Sequence, residues 1–547
     1  MARLGKLIAL AFAALAVPAA ATQPLPPAPA PPAPPPRLLI VITVDHLSAD
    51  LFDEYRPMLF GGLGRLARGT VFRNGYQGHA ATDTCPGHST ILTGSRPARS
   101  GIIANNWIDQ SLGRPDKSVY CAEDVGGAGS ASSARKISPV QLNAVTLGER
   151  LKAVSPASRN VAVAGKDRAA VMMGGRNVDQ RWYWDGLRFS SDLAVAAPRS
   201  LVAANAAVAA LIAAPQAPLD PPELCAAKAR PVAVGNRSVG AGRFDRAAGD
   251  RDGFRASPAF DGAALALAAG LVQELALGQD SAPDILSIGL SATDFVGHRY
   301  GTGGQEMCLQ LFSLDRDLRD FFQLLDRRGI DYAVALTADH GGDDVPERLR
   351  QQGIAAERVD PALEAPTVGK SIAAKLELAG PLLIGDVSGD IYLDRSIKAA
   401  DRPRVLREAV AAYRGHRQVQ AVFTAQELAA APLPTTSPDR WNWLERARAS
   451  FFPGRSGDFV VLLRQHVTSI AGTGGTALAN HGSPWDYDRR VPIIFWRPAM
   501  QQSLRDEPVE TIDVMPTLAA MLGVAIDSSA IDGECLPRIH GVACPPR

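Results

Sequence analysis

Apolar residues fall in two rhythms along this chain. Short runs rich in Val, Ile and Leu read as strands buried on both faces. They are RLLIVITV (37–44), NVAVAG (160–165), DILSIGL (284–290), DYAVALTA (331–338), DFVVLL (458–463) and VPIIFW (491–496). Between some of them lie longer helical patterns, FDGAALALAAGLVQELAL (260–277) and LQLFSLDRDLRDFFQLLDRRG (309–329). The second closes on Arg-Arg-Gly, as a capped helix does. Strands alternating with helices predict an α/β fold. The expected architecture is a three-layer sandwich, with a central mostly parallel sheet and helices on both faces. Stretches near 105–155, 170–260 and 345–455 are rich in Gly, Pro and Ala and lack strong strands. They read as insertions that form a cap beside the site. No internal repeat is visible.

The first residues follow a different pattern. Arg3 and Lys6 precede the apolar run LIALAFAALAV and the small residues PAAAT. That is the layout of a secretory signal peptide, expected to span 1–21. The run is too short for a comfortable membrane span. QPLPPAPAPPAPPP follows and reads as an extended linker over 22–36. One catalytic domain is expected over 37–547.

Composition narrows the partners. The chain has 547 residues, 46% hydrophobic, with a net charge of +1. No strongly basic field argues for duplex nucleic acid, so a small ligand is the better expectation. Six cysteines occur, none in a CxxC pair, which disfavours a cysteine-bound zinc. Cys535 and Cys544 are placed to close a small loop. The other pairings stay open.

Candidate chemistry sits where strands end. Asp45 follows RLLIVITV, Asp294 follows DILSIGLSAT, and Asp339 with His340 follows DYAVALTA. Open α/β sheets bind ligands at the carboxyl ends of their strands. Converging carboxylates repel, and a cation relieves the conflict. Any single Asp after a strand is equally well the N-cap of the next helix. The histidines make the set harder to dismiss. Asp294 and His298 are four apart, on one face of a helix. His340 adjoins Asp339, and His481 lies in ALANHGSPWDYD. Mixed carboxylate and imidazole donors suit zinc rather than calcium, and six ligands suit two ions. His88 reads as a hydrogen-bonding partner within its turn. His46, His79, His416, His466 and His540 show no ligand spacing and read as core or surface residues.

The segment ATDTCPGHST (81–90) offers Thr82, Thr84, Cys85, Ser89 and Thr90 as nucleophiles. Taken in order, Asp45, DTCPGH, GIIANNW, GKDR, DFVGH, ADHGG and NHGSPWDYD resemble the alkaline phosphatase superfamily. TIDVMPTLAAML near the C-terminus adds to the likeness. The nearest look is to the bacterial phosphate-irrepressible (PafA-like) type with a threonine nucleophile. DHLSAD departs from that family's more usual DGxR or DQxR but keeps the metal-binding Asp.

The resemblance implies two Zn2+ per chain. Asp45, Asp339 and His340 would hold one, and Asp294, His298 and His481 the other. It implies Thr84 as the nucleophile, bound to metal and forming a phosphothreonine. Asn105, Lys166 and Arg168 would hold phosphate oxygens. The extra Lys and Arg match the charge of a monoester dianion. A solvated basic turn is the plain alternative for GKDR. The implied activity is hydrolysis of small phosphate monoesters by an exported, periplasmic or secreted, monomeric enzyme without a membrane anchor after cleavage. A nucleotide pyrophosphatase/phosphodiesterase of the same superfamily is the rival enzyme. A metal-binding scaffold is the rival without activity. A sulfatase is disfavoured, since Pro follows Cys85 at once where CxPxR is required.

Overall fold

The computed structural model describes residues 34–126 and 135–545. The expected signal peptide (1–21) and residues 22–33 of the expected linker lie outside the described residues.

The central sheet has ten strands. Five run parallel side by side: Tyr332–Thr337, Leu38–Val44, Asp284–Leu290, Asn160–Ala164 and Gln180–Trp184. Beyond Tyr332–Thr337 lies Arg490–Trp496, running antiparallel, and then Thr70–Tyr76. The sheet is thus mostly parallel, with helices on both faces. Alternation within the central strand shows why its sequence is apolar throughout. Leu38, Ile40, Ile42 and Val44 join one core, under the helices Pro258–Glu274 and Gln305–Arg327. Leu39 and Val41 join the opposite core with the helix Val514–Leu522. Both faces are covered, so no polar face is needed.

Register places the chemistry. Thr43 pairs with Gly289 on one side and Thr337 on the other, and Gly289 pairs with Ala164. Four adjacent strands therefore end level. The residues just past those ends include Asp339, Asp45, Asp294 and Lys166.

DFVVLL forms a strand, Phe459–Leu463, but not in the central sheet. It pairs with Gly389–Leu393 and Val419–Thr424 in a separate four-stranded antiparallel sheet. This sheet packs with the helices Ala365–Leu376 and Arg402–Arg414 around its own apolar core. An apolar run reports burial but not its partner. The weak sequence signal of Val419–Thr424 also has a cause: only Val419 and Val422 are buried there. Three disulfides join Cys85 to Cys121, Cys225 to Cys308 and Cys535 to Cys544. No described helix is long and apolar enough to cross a membrane.

Candidate metal centre

Thr84 opens a ten-residue helix, Thr84–Thr93, and is fully buried. The turn is pressed against the end of the Tyr332–Thr337 strand. A Cβ at Gly87 would overlap the carbonyl oxygen of Asp339, so only glycine permits this approach. Lys166 Nζ and Arg168 Nη2 each lie 3.4 Å from Thr84 Oγ1. Asn105 Oδ1 accepts from the Cys85 N–H at 2.9 Å. That bond orients the amide and leaves Asn105 Nδ2 as the free donor.

Around Thr84 the strand-end groups converge. Lys166 Nζ is 2.6 Å from Asp294 Oδ2 and 3.0 Å from Asp45 Oδ2. Burial lowers the Lys166 ammonium, but Asp294 and Asp45 outweigh it and hold it above its ordinary value. Asp294 and His298 share the helix Ala292–Tyr300, and His298 Nε2 lies 3.2 Å from Asp294 Oδ1. His481 Nε2 lies 3.5 Å from the same oxygen. The Nδ1 atoms of His298 and His481 face the carbonyls of Ala479 and Thr82, each at 2.8 Å. These bonds turn both Nε2 atoms toward Asp294. Burial and the neighbouring His340 hold His481 well below its ordinary pKa, hence neutral.

On the other side, His340 Nε2 is 3.2 Å from Asp339 Oδ2. Its ring also stacks on His481, with centroids 3.5 Å apart. His340 therefore stands between the two carboxylate centres. By proximity the ligand atoms fall into two groups: Asp45, His88 and Asp339, and His46, Asp294, His340 and His481.

These residues fit a divalent cation. Asp45 Oδ1, Asp339 Oδ2 and His340 Nε2 are buried and, although imidazole and carboxylate atoms lie 3.2–3.3 Å apart, make no well-aligned hydrogen bond. Buried polar atoms rarely go without a partner. Three carboxylates, Asp45, Asp294 and Asp339, with the imidazoles of His298, His340 and His481 beside them, form the kind of donor set that zinc accepts.

Two histidines change place relative to the sequence reading. His88 bridges more than its turn. Its ring faces the Thr84 carbonyl at 2.9 Å and Thr43 Oγ1 at 3.0 Å, and lies 3.3 Å from both Asp45 and Asp339. Burial lowers it, but those carboxylates push it up to about 10. His46, read as a core or surface residue without ligand spacing, is a core residue, fully buried at the edge of the site. Successive side chains of an extended chain point to opposite faces. His46 has φ of 70°, which breaks that alternation and brings its ring beside Asp294. Its adjacency to Asp45 is the only signal the sequence offers. Tyr120 is a third addition: its hydroxyl donates to Asp167 at 2.6 Å and lies 3.5 Å from Arg168 Nη1.

The chain is similar to known proteins over most of its length. The family described as type I phosphodiesterase / nucleotide pyrophosphatase matches residues 39–484. The chain belongs to this family. All the strand-end acids and histidines described above, from Asp45 to His481, lie within that match. Alkaline phosphatase PhoK of Sphingomonas sp is 51% identical over 512 residues, covering 92% of each chain. Alkaline phosphatase PhoD of Zymomonas mobilis subsp. mobilis is 45% identical, covering 91% of this chain and 88% of its own. The crystal structure of alkaline phosphatase PafA has the same fold, with a TM-score of 0.80 at 23% identity. It covers 92% of this chain and 98% of the other. Within the phosphodiesterase family, this chain is thus a PafA-like member of the alkaline phosphatase superfamily.

Proposed function

We propose that this enzyme, an alkaline phosphatase, hydrolyses phosphate monoesters to an alcohol and inorganic phosphate through a phosphothreonine at Thr84. The observation that carries this reading is the pair of cations at the nucleophile, Lys166 buried and Arg168 half-buried. Lys166 Nζ and Arg168 Nη2 are both 3.4 Å from Thr84 Oγ1. They favour the ionised hydroxyl and match the two charges of a transferring monoester. Asn105 Nδ2 adds a donor for a phosphate oxygen. Arg168 stays charged: burial lowers it, but Tyr120 and Asp167 raise it further.

Asp45, Asp339 and His340 with Thr84 would hold one zinc, and Asp294, His298 and His481 a second. When bound, two such ions supply positive charge for the attacking and leaving oxygens. The chain's own residues do the rest. His298 and His481 are aimed by backbone carbonyls, Gly87 lets the nucleophile reach the Asp339 strand end, and the cations fix the phosphoryl group in line. Export to the periplasm or beyond fits the apolar N-terminal run and the three disulfides, which persist in oxidising compartments.

The family description favours a second reading, a phosphodiesterase acting on nucleotide diesters. Rates on p-nitrophenyl phosphate and bis-p-nitrophenyl phosphate separate the two. The expected result is a far higher kcat/KM for the monoester, lost in Thr84→Ala while about two zinc ions per chain remain. A faster diester reaction overturns the monoesterase assignment. Unchanged activity in Thr84→Ala overturns the nucleophile.

A further inference from the structure

His46 holds a position that the proposed reaction does not use. It directly follows Asp45, is fully buried, and adopts the left-handed region at φ 70°. Few residues take this conformation without glycine, and His and Asn are among those enriched there. The turn gives His46 two contacts with two different strand ends. Its backbone N–H points to Asp339 Oδ1 at 3.3 Å. Its ring Nδ1 lies 3.3 Å from Asp294 Oδ1.

The ring sits in a slot built for it. A Cβ at Gly297 would come within 2.6 Å of His46 Nε2, and one at Gly342 would overlap the ring. Both glycines belong to the motifs DFVGH and ADHGG. The ring centroid is 5.9 Å from that of His298 and 5.8 Å from those of His340 and His481. His46 Nε2 is buried with no hydrogen-bond partner. A buried N–H without an acceptor is rarer than an unused lone pair. The ring proton therefore belongs on Nδ1, facing Asp294.

We infer that His46 is a positioning residue of the metal centre. Its Nδ1–H holds Asp294 while its own N–H holds Asp339, so one residue sets two carboxylates on the strand ends either side of its own. The inference rests on the reading of Asp294 and Asp339 as metal ligands. Such outer partners orient a ligand and sharpen its affinity for the ion.

His46→Ala and His46→Asn test it. Asparagine tolerates the same backbone and places its Nδ2 where the imidazole carries Nδ1. Zinc affinity is read by chelator competition, kcat and KM on p-nitrophenyl phosphate, and the visible absorption of the cobalt-substituted protein. His46→Ala should bind one zinc about 10- to 100-fold more weakly and lose kcat with KM little changed. His46→Asn should recover most of both. The cobalt absorption envelope should stay as in the parent. Parental zinc affinity in His46→Ala overturns the inference, as does a His46→Asn no better than the alanine. A changed cobalt envelope in both variants makes His46 a direct ligand and overturns it as well. Asp294→Ala is the separate control. If that variant keeps both ions at parental affinity, the ligand assignment beneath the inference fails instead.

Discussion

Cys85 is joined by a disulfide to Cys121, so the residue after Thr84 is tied covalently to the segment beside Asn105. The Cys121 N–H also bonds to the Asn105 carbonyl at 3.0 Å, and Asn105 Oδ1 receives the Cys85 N–H. Nucleophile and phosphate-binding amide thus share one cross-linked unit. The sulfur beside Thr84 acts here as a structural anchor.

Removing that link should cost stability and order at the site. The disulfide spans a sequence separation of 36. The chain-entropy relation gives about 3–4 kcal/mol for such a loop. Cys85→Ala with Cys121→Ala should lower the denaturant midpoint accordingly and reduce kcat. An unchanged midpoint and rate would show that the hydrogen bonds alone suffice.

Gly87 should tolerate no side chain. Its missing Cβ is the space that the Asp339 carbonyl occupies. Gly87→Ala forces helix and strand apart, a strain of about 1–3 kcal/mol for overpacked interiors. Circular dichroism should show a folded protein with a lowered Tm, and zinc analysis a weakened site. Full metal content with parental kcat counts against this close packing.

Arg168 should distinguish substrates by charge. Charge-assisted hydrogen bonds are worth about 1.5–3 kcal/mol, so Arg168→Ala should lower monoester kcat/KM by about 10- to 150-fold. The loss on a singly charged diester should be smaller. Equal losses on both would mean that Arg168 only maintains local structure through Tyr120. Lys166 is a less clean probe, because it also neutralises Asp45 and Asp294.

Asp261 should make stability depend on pH. Burial pushes its carboxyl up to about 7 from 3.8, with Asp45 adding to the effect against the bond from the Ala292 N–H. The folded chain then keeps a proton that the unfolded chain has released. Stability therefore falls as pH rises between these two values and stays low above about 7. Asp261→Asn removes the penalty. Gln310 lies beside it at 2.9 Å, and its Oε1 is buried without a partner, ready to accept from the new amide once flipped. Urea midpoints at pH 5 and pH 8 should differ less in this variant than in the parent. Equal differences would show that Asp261 is already ionised in the fold.

Much of this was legible in the sequence for a simple reason. Strands covered on both faces must be apolar throughout, so four central ones stood out as runs, and the acids at their ends stood out against them. The single-helix spacing of Asp294 and His298 is equally local. Other features depend on partners far away in the chain. Phe459–Leu463 reads like its counterparts in the central sheet, yet pairs with strands whose one-sided burial leaves little pattern.

The sequence by itself determined the fold class, the strand-end carboxylates and the histidines at helical or adjacent spacing, and these follow from periodicity and from residue chemistry within a few positions; the choice of Thr84 among its neighbours came from the family resemblance. Only the tertiary structure decided that His46 and His88 belong among them, and that Cys85 is bridged to Cys121. It also decided that Gly87, Gly297 and Gly342 are empty because Asp339 and the His46 ring fill their space. Register explains the difference: level strand ends bring residues hundreds of positions apart within hydrogen-bonding distance, and nothing local in the chain records that distance.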